Sequence, residues 1–353
     1  MPAELPADST PDSAARQILR GYSSLCQPRM LNFLDSGGGF SGARLWRVEG
    51  TGGIYALRAM PLSTVNVDRL AGLHRLLAHV RDCGLAALVA TPLLTLQGTT
   101  FVVRHEHVWQ LEPWLPGVAD FAARPSSARL RNALRALARW HVAARSFVPT
   151  AKEAPWFASF EAAHSPGIAE RLRAFDRWPR ARLDLVRESL QKQSWPEFDE
   201  PALRILELFP RVAPSMAQKL RLGATVKAPL QPCLRDIWHD HVLYTGDQVS
   251  GLIDAHACRT ECVATDLARL LGSLVADDRP AWDEGLVAYS EVRPLGVAER
   301  GLVELFDESA VLLSGLTWLE WHCVERRRFA EPRIVVDRLR RIVRRLETLT
   351  ARN

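Results

Sequence analysis

Apolar and polar residues alternate from Ala43 to Val48, which predicts a strand. Glu49-Gly-Thr-Gly-Gly53 is a turn cluster, and Ile54-Tyr-Ala-Leu-Arg-Ala-Met60 predicts a second strand stopped by Pro61. The two form a hairpin. From Asn66 to Cys83 the apolar residues Leu70, Leu73, Leu77 and Val80 recur at three and four, the spacing of an amphipathic helix, which Gly84 closes. Leu88–Leu96, Thr99–His105 and Val108–Leu115 predict three further strands. A short helix over Ser13–Gly21 precedes all of this, after a Pro-, Ser- and Asp-rich start that reads as frayed.

The pattern then changes. Ser126–Phe147 is strongly amphipathic, with Leu130, Leu134, Leu137 and His141 on one face and arginines on the other. Helical spacing recurs at Ala169–Arg177, Arg182–Lys192 and Glu200–Leu222. A β-rich interlude follows over Lys227–Asp254, and helices return at Ala264–Val275, Ala281–Tyr289, Ala298–Arg326 and Ile334–Thr348. The expected organisation is an N-terminal extension (1–29), a small β-rich lobe (30–115) and a larger, mostly helical lobe (116–353).

Composition narrows the class. The chain has 353 residues, Lys+Arg 45 against Asp+Glu 40, and a formal net charge of +5. This mild excess does not call for nucleic acid but suits an anionic ligand. With 47% hydrophobic and 24% charged residues it reads as a soluble globular chain, long enough to fold without a metal or disulfide staple. The start lacks a basic patch followed by an apolar run, so no signal peptide is expected. Charges at Glu304, Asp307, Glu308 and Glu320 break the best apolar stretch, so no membrane helix is expected either. The scattered cysteines read as reduced thiols of a cytoplasmic protein. The arginine-rich C-terminal helix reads as a solvated cationic face over an apolar stripe, and the tryptophans as packing residues.

Gly37, Gly39 and Gly42 form G-x-G-x-x-G, and the segment includes Phe40 and Ser41. In a dinucleotide-binding unit these glycines would lead from a strand into a helix. Here they lead into a hairpin, which favours a flap over phosphates, with a plain tight turn as the simpler reading. On the strand after such a flap, kinases place a lysine that grips the nucleotide phosphates. The matching residue is Arg58, also a phosphate ligand but not interchangeable with lysine.

Residues 233–254 hold two short apolar strands, His241–Tyr244 and Val249–Ile253, joined by Thr-Gly-Asp, with Asp236 and Asp254 at the two ends. A hairpin brings its ends together, so both carboxylates can face one site. Phosphoryl transfer uses such a pair: one accepts the hydroxyl proton and the other holds the metal.

On these residues the chain resembles the aminoglycoside phosphotransferase family. The family motif runs His-Gly-Asp-x-x-x-x-Asn, then a strand pair and Ile-Asp. Leu234-Arg235-Asp236 stands at its start, His241 at the Asn position, and Ile253-Asp254 at its end. Thr265-Asp266-Leu-Ala-Arg269 resembles the later Asp-x-Ala element, whose aspartate is structural. Leu137-Ala-Arg-Trp-His141 resembles a family helix, and Glu112-Pro113-Trp114 falls at the adenine-binding hinge. The resemblance spans roughly residues 30–275. It implies an α+β, bilobal protein-kinase-like fold. ATP and Mg2+ are the implied cofactors, with Mn2+ as the alternative ion, and the implied partner is a small molecule bearing a hydroxyl, with no nucleic acid and no membrane. It implies Asp236 as catalytic base, Asp254 and His241 as metal ligands, and Gly37, Gly39, Phe40, Ser41, Gly42, Arg58, Glu112 and Trp114 as nucleotide-binding residues.

The departures are Leu234 for histidine, His241 for asparagine, Arg58 for lysine, and His256 where many relatives have a second acid. The helix after Arg58 also lacks the glutamate that partners the family lysine; Asp68 and Asp82 are its acids. A catalytically impaired nucleotide-binding relative therefore stands beside the active kinase. A third reading takes Asp236, His239, Asp240, His241, Asp254 and His256 as a Zn2+ or Mn2+ cluster for metal-assisted hydrolysis.

Overall fold

The computed structural model describes residues 11–34, 42–192, 195–329 and 331–352. Two compact units emerge, Met1–Ala158 with Asp240–His256, and Ser159–His239 with Ala257–Asn353. The first unit carries, in chain order, α1 (Pro11–Leu19), β1 (Met30–Leu34), β2 (Arg44–Gly50), β3 (Gly53–Pro61), α2 (Val67–Val80), β4 (Val102–Arg104), β5 (His107–Pro113), α3 (Ser127–Arg145) and α4 (Ala154–Phe157). The second unit begins with β6 (Phe160–His164), α5 (Pro166–Asp176), α6 (Arg180–Lys192), α7 (Pro196–Gly223) and β7 (Lys227–Cys233). The chain then returns to the first unit for the hairpin β8 (Val242–Thr245) and β9 (Gln248–Leu252). It ends in the second with β10 (Arg259–Glu261), α8 (Ala264–Val275), α9 (Arg279–Ser290), α10 (Val297–Leu319) and α11 (Pro332–Arg352).

The five strands β1 to β5 form one antiparallel sheet in the order β1-β2-β3-β5-β4. Residues paired across neighbouring strands share a face. Trp46 pairs with Leu57 and Leu57 with Leu111, while Ala59 pairs with Trp109. This apolar face packs under Ala14, Ala15, Ile18 and Leu19 of α1, so this helix is part of the unit's core. The opposite face carries the alternate set, Arg58 opposite Gln110 and Ala56 opposite Glu112. One sheet therefore offers an apolar face for the core and a polar face for chemistry.

Asn66 starts α2, its side chain accepting the Arg69 N–H at 2.9 Å, and Ser126 does the same for α3 with the Arg129 N–H at 3.1 Å. The hairpin β8-β9 is fastened within the first unit. Val118 and Tyr244 exchange backbone hydrogen bonds, and the Leu252 N–H donates to the Leu88 carbonyl at 2.8 Å. Gly117 sits at φ +101, and a Cβ there would lie 2.7 Å from the Tyr244 carbonyl oxygen, so only glycine allows this approach.

The strand expected over Leu88–Leu96 does not form among the described residues: Val89 makes a single bridge to Leu252. Its apolar residues Leu88 and Val89 are buried as an anchor for β9, whereas Leu94 and Leu96 are exposed. Arg129 departs from the solvated arginine face expected of α3. It is buried, paired with Asp120, and its guanidinium lies 4.0 Å from the Tyr244 ring centroid.

The second unit is mainly helical around the three-stranded sheet β10-β7-β6. The cationic helix α11 buries Val335, Val336, Leu339, Leu346 and Leu349, as an apolar stripe should, and Arg345 pairs with Asp277 and Asp307. All six cysteines are free thiols, and only Cys83 is exposed.

Candidate active site

The polar face of the first unit's sheet concentrates the chemistry. Arg58 Nη2 lies 4.0 Å from Glu112 Oε1, and Arg58 Nη1 lies 3.9 Å from Asp254 Oδ1. The guanidinium is thus flanked by two carboxylates, yet makes no hydrogen bond among the described residues, and its Nε is buried without a partner. A nearly buried cation whose Nη groups make no hydrogen bond among the described residues suits an oxyanion.

Asp254 follows β9 at φ 61, a left-handed backbone that a non-glycine residue adopts at a cost, and such strain gathers at functional sites. The Ile253 N–H donates to the His241 carbonyl at 3.0 Å, which fixes the turn. Three basic groups surround the carboxylate: His256 Nδ1 at 3.0 Å, His241 Nε2 at 3.8 Å and Arg58. Burial works against the charged form. The hydrogen bond from His256 and the charges of Arg58, His256 and His241 outweigh it, holding Asp254 well below the usual carboxylate range. An ionised carboxylate is a hard oxygen donor and fits a divalent cation. His241 beside it offers a softer nitrogen, which keeps Mn2+ open beside Mg2+.

Behind these groups runs a chain of hydrogen bonds. Gln110 Nε2 donates to Glu112 Oε2 at 3.0 Å, and Gln110 Oε1 lies 3.1 Å from His74 Nε2 and 3.4 Å from His256 Nε2. His74 Nδ1 in turn meets Thr100 Oγ1 at 2.8 Å. Burial lowers the His74 imidazole to about 4, against the opposing hydrogen bond to Gln110, so it is neutral at pH 7. The sequence reading missed Gln110 and His74. Their signal was present: one amide inside the apolar strand Val108-Trp-Gln-Leu111, and one imidazole on the apolar side of α2.

Of the other nucleotide-site candidates, Gly37, Gly39, Phe40 and Ser41 lie outside the described residues. Gly42 is described, at φ +71. The Trp114 N–H donates to the Ile54 carbonyl at 3.0 Å, and its half-exposed ring faces Arg47 at 5.8 Å.

In the second unit, Asp236 follows β7 on a loop shaped by its backbone. Arg235 sits at φ 65, and the buried Asp266 of α8 accepts the N–H groups of Leu234 at 2.7 Å and Arg235 at 2.6 Å. Asp266 is therefore the loop's anchor, the structural role expected of it. The Asp236 side chain is 51% exposed and takes a 3.0 Å hydrogen bond from Arg269 Nη2. The Arg269 and Arg338 guanidiniums lie 5.9 and 4.7 Å from the Trp238 ring centroid. Leu234, at the family's histidine position, is buried.

The metal-hydrolase reading needs convergent ligands. Within the first unit, Asp240, His241, Asp254 and His256 do not bring three ligating atoms within 4.8 Å of one another among the described residues.

Residues 36–302 match the sequence profile described as the phosphotransferase enzyme family. Among curated proteins, the homoserine kinase of Methylobacterium nodulans is 28% identical over 262 residues, covering 70% of this chain and 68% of that protein. The homoserine kinase of Gluconacetobacter diazotrophicus is 28% identical over 237 residues, covering 59% and 70%. Among solved structures, an amicoumacin kinase in complex with AMP-PNP, Ca2+ and Ami superposes with a TM-score of 0.65 at 13% identity, covering 95% of this chain and 93% of that one. A spectinomycin phosphotransferase in complex with ADP and its antibiotic gives a TM-score of 0.65 at 13% identity, covering 94% and 96%.

Proposed function

The chain belongs to the phosphotransferase enzyme family, and from that premise we propose that it moves the γ-phosphoryl group of ATP to a hydroxyl of a small molecule. The resemblance read from the motifs and the α+β, kinase-like fold, a small antiparallel sheet lobe with a helical lobe, are both borne out. The observation that carries the reading is the pair Arg58 and Asp254: an under-satisfied buried cation 3.9 Å from a carboxylate held ionised in a strained turn. One binds phosphate oxygens and the other holds the ion that accompanies them.

In this reading Gly37, Gly39, Phe40, Ser41 and Gly42 are nucleotide-binding residues, and Glu112 and Trp114 serve the adenine. Arg58 grips the phosphates. Asp254 holds the divalent ion with His241 beside it. A divalent ion supplies neutralisation of phosphate charge when bound. Asp236 takes the proton from the acceptor hydroxyl as its oxygen bonds to the γ-phosphorus, and the bond from that phosphorus to the bridging oxygen breaks to leave ADP. Arg269 orients the Asp236 carboxylate. Because ATP is the donor, the cytoplasm is the proposed location. Among the described residues no helix is long and apolar enough to cross a membrane.

The acceptor side favours a carboxylate group. Two guanidiniums, Arg269 and Arg338, flank Trp238, two residues from the base. That lining suits a carboxylate-bearing alcohol such as homoserine better than a polycationic antibiotic. The test is phosphorylation of a panel holding homoserine, neutral sugars and an aminoglycoside, read by phosphorus NMR, with wild type and Asp236→Ala. Wild type should phosphorylate the carboxylate-bearing alcohol and Asp236→Ala should turn over roughly 10²- to 10⁴-fold more slowly. Equal rates in both proteins would reject the assignment.

A further inference from the structure

In kinases the cation on the strand after the flap is steadied by a glutamate from the following helix, so movement of that helix switches the phosphate grip on and off. Here α2 has no such acid. Where it meets the sheet it presents His74, bonded to Gln110 and Thr100. A buried imidazole lowered to about 4 is neutral at pH 7 and cannot balance a guanidinium. Of the two acids that flank the guanidinium, Asp254 and Glu112, the second comes from the sheet. Glu112 stands on β5, one step along the same face from Gln110, which pairs directly with Arg58. Its Oε1 is 4.0 Å from Arg58 Nη2.

We propose that Glu112 is the positioning residue for the phosphate-gripping Arg58, with Gln110 as its brace, so that the grip is set by fixed cross-strand neighbours and not by the position of helix α2. This rests on the kinase reading above and adds the device that aims its cation. The geometry supplies each part. Arg58 and Glu112 side chains are 13% and 14% exposed, where a charge pair is weakly screened. The Glu112 carboxylate only accepts hydrogen bonds, so the 3.0 Å contact with Gln110 Nε2 fixes which way the Gln110 amide points. Its oxygen then faces His74 Nε2, which must donate, and His74 Nδ1 accepts from Thr100. The β5 pair Gln110-Glu112 thus braces one side of Arg58, and His74 and Thr100 only satisfy the far side of the Gln110 amide. The 4.0 Å gap leaves the Nη groups without a hydrogen bond among the described residues and so open to phosphate oxygens.

The experiment is calorimetric binding of AMP-PNP with Mg2+ to the full chain, alongside steady-state KM for ATP and for the acceptor. Glu112→Gln should weaken AMP-PNP about tenfold or more and raise KM for ATP, while KM for the acceptor stays put. Glu112→Asp, with a shorter acid, should fall between, and it guards against a fold defect in the amide variant. The double variant His74→Glu/Glu112→Gln returns the acid to the helix and should recover most of the lost affinity. Glu112→Gln binding AMP-PNP within twofold of wild type overturns the proposal, as does a double variant no better than Glu112→Gln. Wild type that binds no nucleotide overturns the kinase reading, and the proposal with it.

Discussion

The two candidate carboxylates are built in opposite ways. Asp254, in the first unit, is held by side-chain charge: Arg58 and two imidazoles surround it, and it stays ionised in spite of burial. Asp236, in the second unit, is held by backbone. Its side chain is half exposed, while the two residues before it hang from buried Asp266. Both sit in loops with a left-handed residue, Asp254 itself and Arg235. The difference matches the tasks proposed for them. The donor's phosphates are the same in every turnover, so preorganised charge suits them. The acceptor varies between relatives, so an exposed base on a firmly anchored loop can serve differently shaped hydroxyls.

Two perturbations break this contrast in order of size. Asp266→Asn puts an amide N–H against one of two buried backbone donors. It should cost about 2–4 kcal/mol of stability in urea denaturation, from one lost and one weakened charge-assisted bond. It should also lower turnover at least tenfold while leaving AMP-PNP affinity unchanged, because the proposed nucleotide grip is built from first-unit residues. An equal loss of nucleotide affinity would erase the division between the two carboxylates.

The second perturbation is pH. His74 is lowered to about 4 in the fold against about 6.5 unfolded. Between those values the unfolded chain binds more protons, so stability rises with pH across this window and is lost as pH falls from about 6.5 towards 4. The loss attributable to this residue is on the order of 3 kcal/mol at its fullest. His74→Gln should show a flatter stability profile between pH 7 and 4 in denaturant titrations. A profile as steep as that of wild type would mean that His74 is not the buried neutral imidazole.

Much of this was legible in the sequence. The hairpin of β2 and β3 follows from alternation ended by glycine and proline, and α2 from its spacing and the Asn66 cap. Asp254, Asp236 and Asp266 follow from motif spacing. Other parts had no local signal. Strands β6 and β10 are three to five residues long, the first mixed, the second wholly polar, and neither alternates, so only pairing with β7 makes them strands. The apolar run Leu88–Leu96 has strand composition but serves as an anchor. The Arg58–Glu112 partnership depends on the register between β3 and β5, which distant residues settle together. Spacing along the chain could place Glu112 only near a hinge.

The most direct test is one calorimetric and kinetic comparison of Asp254→Asn with Asp236→Asn. If charge in the first unit holds the donor and the second unit supplies the base, Asp254→Asn loses both AMP-PNP affinity in the presence of Mg2+ and turnover. Asp236→Asn should keep wild-type affinity and lose turnover by roughly 10²- to 10⁴-fold. Asp236→Asn turning over like wild type, or both variants losing nucleotide affinity equally, would contradict the account.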